Sequence, residues 1–137
     1  MKLINRMALI LLICLWPGAA AAEVIGQNDK EVQAEAEPLL DTMMEGFAKG
    51  NYGLYAKDFD DTLKELISEE KFSKTRKEIM NKFGNYKSRT YLGFLTKGKT
   101  TQVMWKGKFD KGDDDVLIRL AVSRRGDRNR VLGLYFQ

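Results

Sequence analysis

The sequence contains no histidine and a single cysteine, Cys14. Histidine is the commonest general base and the commonest transition-metal ligand in proteins. Its absence excludes Ser-His and Cys-His nucleophilic arrangements and any zinc site built on imidazole. Because Cys14 lies in the leader described next, the rest of the chain has no disulfide, thiol redox centre or thiolate ligand. We therefore predict no cofactor and no metal site, and stability that comes from an apolar core.

The first 22 residues have the order of a cleavable secretory signal peptide. A basic start with Lys2 and Arg6 precedes an apolar run over residues 7–16, a Pro-Gly break and four alanines ending at Ala22. The small side chains before Glu23 predict cleavage after Ala22. An apolar run of about ten residues is half of the ~20 that a membrane-spanning helix needs, so we expect no stable membrane anchor after cleavage.

The leader predicts a periplasmic or secreted protein. A lipid-attached cysteine requires a small residue before it, and Ile13 precedes Cys14, so a lipoprotein is disfavoured. No nucleic-acid partner is expected in an exported compartment.

Charge is unevenly distributed along the chain, which has 23 basic and 19 acidic residues. Residues 23–50 hold seven acids and two bases, whereas residues 85–137 hold twelve bases and five acids. The two parts could attract one another within the fold, or the basic part could steer an anionic partner.

Helical signals fill the first half of the chain after the leader. Asn28 with Glu31 is a capping-box signal, and an apolar stripe continues through Pro38 to Gly50, with a kink expected at the proline. Asn51 caps a second, short helix whose apolar positions run to Ile67. Ser68 caps a third helix that ends at Gly84.

After Gly84 the apolar period becomes alternating, which predicts four strands joined by short turns. The expected fold class is α+β, with three N-terminal helices packed on a curved four-stranded antiparallel sheet, cone-like, preceded by the signal peptide. The expected domains are the signal peptide at 1–22, a short tail at 23–29 and a single cone-like domain at 30–137.

Four segments carry a family resemblance: Gly50-Asn51-Tyr52, residues 83–89, residues 109–112 and residues 131–136. In this order the chain resembles small exported bacterial domains of unknown function within the nuclear transport factor 2-like superfamily. The likeness spans most of residues 30–137 and implies a cone-shaped α+β fold. That superfamily hosts isomerases, dehydratases, binding proteins and assembly modules, so the fold leaves the function open.

A candidate pocket for a small apolar ligand lies between helices and sheet. Its predicted lining is Phe47, Tyr55, Phe59, Phe83, Trp105 and Ile118. The resemblance also implies that enzymes of this fold place an Asp, often with a Tyr or His, in such a pocket, where burial raises the carboxyl pKa. The pattern puts no carboxylate on a predicted inner face, although Asp41 falls beside the first helical stripe, and hydroxyls could come from Tyr52, Tyr55 or Tyr91.

A candidate partner surface lies on the outer side of the sheet. It consists of Met104, Lys106, Lys108, Leu117 and Arg119. Apolar residues mixed with bases indicate a homodimer, a protein partner or membrane head groups, and partial burial is the alternative.

Two further patterns are interpreted as turns. Residues 58–61 and 113–115 are rich in Asp but lack the spacing of a calcium loop. Arg125-Gly126-Asp127 matches an adhesion tripeptide, and a hairpin turn with Gly126 at positive φ explains it equally well.

These observations predict an exported, non-enzymatic binding or interaction domain of unknown specificity. It would hold a small apolar ligand in the cone, or a protein partner or second copy on the sheet. The alternative is a small lyase or isomerase that uses a buried Asp and a Tyr in the cone.

Overall fold

The computed structural model describes residues 21–137 of the chain. The predicted signal peptide therefore lies, apart from its last two residues, outside the described residues. Within them the chain folds into a short strand, four helices and four longer strands. In order, these elements are β1 (Ala22–Glu23), α1 (Asp29–Lys49), α2 (Tyr52–Tyr55), α3 (Asp61–Leu66), α4 (Glu69–Phe83), β2 (Tyr86–Lys97), β3 (Thr100–Phe109), β4 (Val116–Arg125) and β5 (Arg128–Phe136).

Helix α1 begins and ends where its sequence signals predict. The Asn28 side chain accepts a hydrogen bond from the Glu31 amide at 3.0 Å, and the Glu31 carboxylate accepts one from the Gln27 amide at 2.7 Å. The helix continues past Pro38 and stops at Gly50, whose φ of 64° is left-handed.

The prediction of one helix after Asn51 is wrong, because the structure divides this segment into α2 and α3. Between them Phe59 forms a bridge with Val131 of β5. The Asp60 amide donates to the Val131 carbonyl at 2.9 Å, and the Val131 amide donates to the Asp58 carbonyl at 2.7 Å. This extended segment interrupts the helix, and Asp60 then caps α3 by accepting from the Leu63 amide at 2.8 Å.

Strands β2 to β5 form the predicted antiparallel meander, curved into a half-barrel. A fifth strand, which the sequence pattern did not predict, is the short β1, whose Ala22 and Glu23 pair with Arg125 and Arg124 of β4. Register shifts in the β2–β3 and β4–β5 pairings mark bulges, which increase local twist and bend the sheet around α1.

The hydrophobic core fills the concave side of the sheet. Alternate residues of β3 and β4 meet the apolar stripe of α1 there, and the largest fully buried side chains include Trp105, Phe59, Leu40, Met43, Ile118 and Leu120. The segment predicted as a short tail also contributes to it. Ile25 is only 5% exposed, and its amide donates to the hydroxyl of the buried Thr101 at 3.3 Å.

Two of the segments that carry the family resemblance meet where the chain passes from α4 into the sheet. The Asp110 carboxylate accepts from the Asn85 amide at 2.7 Å and from the Asn85 side chain at 3.0 Å. These hydrogen bonds lower the pKa of Asp110. Gly84 has a φ of 81°, and a Cβ at that position would lie 2.0 Å from an Asp110 carboxylate oxygen. These two segments therefore stabilise the junction between α4 and the sheet.

Candidate interaction surface

The six predicted pocket residues lie in or beside the packed core. Phe47, Tyr55, Phe59, Trp105 and Ile118 are each less than 9% exposed, and the sixth, Phe83, is half-buried. Tyr55 packs directly on Phe59, with ring centroids 5.4 Å apart, and Phe83 packs on Phe109, a core residue outside the predicted set, at 5.6 Å. The cavity beside Phe47 and Tyr55 has a volume of about 70 Å³. A water molecule occupies about 30 Å³, so this space is too small for a drug-sized ligand.

One carboxylate that sequence reasoning missed reaches the core. Glu37 of α1 accepts a hydrogen bond from the indole nitrogen of Trp105 at 2.7 Å. Its other oxygen binds the Arg89 guanidinium at 2.5 and 2.9 Å, and Arg89 also contacts Asp41. With both oxygens engaged by donors, Glu37 ties α1 to β2 and β3.

Other acidic residues of α1 are used in the same way. Tyr91 of β2 donates to Asp29 at 2.8 Å, and burial followed by this hydrogen bond raises the pKa of Tyr91. Arg124 of β4 forms an ion pair with Glu35 at 2.9 Å. The acidic helix and the basic strands thus neutralise one another on the concave side, which is one of the two roles their sequence charges allowed.

Two adjoining surface grooves run along α1 and share Ala34 and Glu35 as lining residues. Their volumes are about 500 and 450 Å³. Carboxylates and cations both line them, and Glu35 is already bound by Arg124 and by the Asn129 side chain at 2.5 Å. Because charges of both signs line the grooves, the lining does not select one class of ligand.

The outer, convex face of the sheet carries the predicted partner residues in two cross-strand rows. Met104 of β3 pairs with Arg119 of β4, which pairs in turn with Tyr135 of β5. In the next row Lys106 pairs with Leu117. The fifth predicted residue, Lys108, forms an ion pair with Asp115 beside the β3–β4 turn.

Two apolar residues absent from the predicted set extend this face. Leu95 of β2 pairs with Gln102, next to the Met104 row, and Tyr135 adjoins Arg119. Leu95 is 50% exposed and Tyr135 is 46% exposed. We call the resulting surface the outer patch; it consists of Leu95, Met104, Lys106, Leu117, Arg119 and Tyr135.

The outer patch is ordered by side-chain stacking. The Arg119 guanidinium carbon lies 4.6 Å from the centre of the Tyr135 ring, and Arg119 donates to the Gln102 side chain at 3.2 Å. The Tyr135 ring covers Gly133, where an added Cβ would meet the ring at 2.6 to 2.8 Å. Arg119 and Tyr135 are therefore held against the sheet, so the patch is largely preformed.

The four long strands contain ten Lys and Arg residues and no Asp or Glu. Arg89 and Arg124 face α1 and its carboxylates. Lys106 and Arg119 face outward, and within residues 21–137 neither has a carboxylate within salt-bridge distance. The outer patch is consequently apolar and positively charged.

The Asp-rich segments and the adhesion tripeptide occupy turns and caps. Asp60 caps α3 and lies 3.8 Å from Arg125, and Gly126 has a φ of 67° in the β4–β5 hairpin. In the described part of the chain, no three His, Cys, Asp or Glu side chains are grouped as a metal site. No helix between residues 21 and 137 is long and apolar enough to cross a membrane.

Comparison with known proteins identifies one family. A family model described as "Protein of unknown function (DUF3887)" matches residues 41–122. This range runs from the middle of α1 to β4 and includes most of the outer patch. No curated protein and no solved structure matches the chain significantly.

Proposed function

We propose that this chain, which belongs to the DUF3887 family of proteins of unknown function, is a non-enzymatic binding domain that contacts its partner through the outer patch. One observation carries the proposal. Among the described residues four large apolar side chains are exposed; Leu95 and Tyr135 lie on the outer face, and Leu92 lies at the bulge in β2. The fourth, Leu66, lies on α3. Clustered exposed apolar residues are a mark of interaction sites, whereas single ones are ordinary.

Binding of a small ligand inside the cone and catalysis by a carboxylate there receive less support. A small apolar ligand in the cone would need space among Phe47, Tyr55 and Trp105, which pack together in the core. A lyase or isomerase would need a free carboxylate in the cone, and Glu37 there is bound to Arg89 and Trp105.

We also propose that the domain has the nuclear transport factor 2-like fold. A half-barrel sheet that holds helices on its concave side is compatible with the cone-shaped, nuclear transport factor 2-like fold. We assign the chain to that superfamily on this architecture and on the Gly84–Asp110 junction.

Export is also proposed, with cleavage after Ala22. The cut would fall inside β1 and leave Glu23 paired with Arg124 and Ile25 in the core, so the new N-terminus would remain docked. The mass of the protein isolated from its host tests this. A mass that starts at Glu23 is expected, and one that retains Met1 would overturn cleavage.

Site-specific photocrosslinking tests the binding function. A benzophenone amino acid is placed at Met104 in one variant and at Leu66 in another, and both are irradiated in the producing cells. Adducts are expected at Met104, which is partly exposed, and absent at Leu66, a more exposed position on α3 outside the patch. Equal adducts at the two positions, or none at Met104, would contradict the proposal.

A further inference from the structure

The composition of the outer patch narrows the kind of partner, and the inference below rests on the proposed binding function. Leu95 and Tyr135 project apolar surface, and Lys106, in the row next to the Met104–Arg119–Tyr135 row, has no carboxylate within salt-bridge distance in residues 21–137. The β2–β3 turn adds two exposed lysines, Lys97 and Lys99, next to Leu95. A complementary partner therefore presents an apolar layer into which these side chains can insert, together with negative charge.

A second copy of this chain fits the patch poorly. In a two-fold dimer the same surface lies on both sides of the interface, so Lys106 and Arg119 would face the cations of the other copy. No acidic residue in strands β2–β5 is available to offset that repulsion. Like charges opposed in an interface disfavour association.

The shape of the patch is a second constraint. The patch lies on the convex side of the half-barrel, because the helices and core occupy the concave side. A protein partner would need a matching concave surface. A lipid bilayer adapts to a convex face, admits leucine and tyrosine side chains at the head-group boundary, and lets lysine extend its ammonium group to the phosphates.

We propose that the partner of the outer patch is an anionic lipid surface, to which the domain binds reversibly. Leu95 and Tyr135 enter the boundary between head groups and acyl chains, and Lys106 and the β2–β3 turn lysines attract the anionic lipids. A few apolar side chains give modest affinity, so the attachment depends on both contributions.

Vesicle co-sedimentation tests this proposal on protein isolated after export. The probes are vesicles of phosphatidylcholine alone and of phosphatidylcholine mixed with an equal amount of phosphatidylglycerol. Binding is expected to the mixed vesicles, to weaken with added salt, and to be far weaker on phosphatidylcholine alone. Lys106→Gln should lower the partition coefficient roughly fivefold. Leu95→Ser should lower it roughly tenfold.

Matched controls separate the patch from general electrostatics. Lys74→Gln removes the same charge from exposed α4, and Leu66→Ser removes an exposed leucine from α3. Both controls should bind as the unaltered protein does. A loss in Lys74→Gln equal to that in Lys106→Gln would overturn the proposal.

The remaining outcomes distinguish the two proposals. Failure to bind mixed vesicles, with a protein adduct at Met104, would overturn the lipid assignment and leave the binding function standing. A dimer in analytical ultracentrifugation that Lys106→Gln strengthens would replace the bilayer by a second copy. Absence of both vesicle binding and Met104 adducts would overturn both proposals.

Discussion

The two faces of the β2–β5 sheet are built from alternate residues of the same strands, yet their surroundings differ sharply. Trp105 on the concave face is fully buried and bonded to Glu37, whereas its neighbours Met104 and Lys106 face outward. On the concave side Arg89 and Arg124 each bind carboxylates of α1, and on the convex side Lys106 and Arg119 have none within salt-bridge distance among residues 21–137. The concave face therefore stabilises the fold, whereas the convex face keeps exposed apolar and basic side chains at the surface.

The largest expected effect is on the concave face. Trp105→Ala should lower the free energy of unfolding by about 3–5 kcal/mol, because it leaves a cavity and removes the indole donor from Glu37. Urea denaturation measures the change. Met104→Ala, one residue away on the convex face, is the control and should cost less than about 1 kcal/mol. Equal losses would show that the two faces contribute alike.

The second largest loss of stability is expected at alkaline pH, through Tyr55 on the helical side of the core. Burial raises the pKa of Tyr55 from 10.0 to about 12. The folded state keeps the phenol protonated while the unfolded chain ionises, so this stabilising contribution is present below pH 10 and is lost as pH rises toward about 12. The loss should approach about 2–3 kcal/mol.

Thermal unfolding followed between these pH values measures that loss. Tyr55→Phe should flatten the decline. Tyr135→Phe, at a position 46% exposed on the convex face, should retain it. A decline in Tyr55→Phe as steep as in the unaltered protein would assign the effect to other groups.

A smaller effect is expected at the contact between α1 and β2. Glu37→Gln keeps an oxygen for Trp105 but removes the charge that binds Arg89, and should cost about 1–2 kcal/mol. Glu45→Gln on the same helix is the control, since Glu45 pairs with Lys49 alone among residues 21–137 and both are well exposed. That change should cost less than about 0.5 kcal/mol in urea denaturation.

The smallest effect on stability should accompany the largest effect on binding. Lys106→Gln and Leu95→Ser, both on the outer patch, should each change the free energy of unfolding by less than about 0.5 kcal/mol. Denaturation curves that superimpose on that of the unaltered protein, together with weakened vesicle binding, are expected. A large destabilisation would mean that these side chains support the fold.

Much of the fold could be predicted because its signals are local. The capping residues Asn28 and Ser68, the stop at Gly50 and the alternation in the strands depend on near neighbours. The division between α2 and α3 could not be predicted in this way. It depends on the pairing of Phe59 with Val131, which comes from the other end of the domain.

The residues of the candidate site likewise include some that local patterns predict and others that depend on distant contacts. Alternation alone groups Met104, Lys106 and Leu117, but adding Leu95 and Tyr135 requires the cross-strand register, which the bulges alter. Glu37 was missed because it lies one position from the apolar stripe of α1, and its partners lie on strands far along the chain. Binding at the outer patch stays a prediction.

The separation of acids and bases along the chain has a consequence for the order in which the protein can be made. Synthesis delivers α1 first, and the arginines that neutralise Glu37 and Glu35 arrive only with β2 and β4. Until β4 emerges, the nascent chain lacks the counter-charge for Glu35 and half of the sheet that covers the α1 stripe. The growing chain therefore gains little stability by folding early. It reaches its stable form only after nearly all of it has been synthesised.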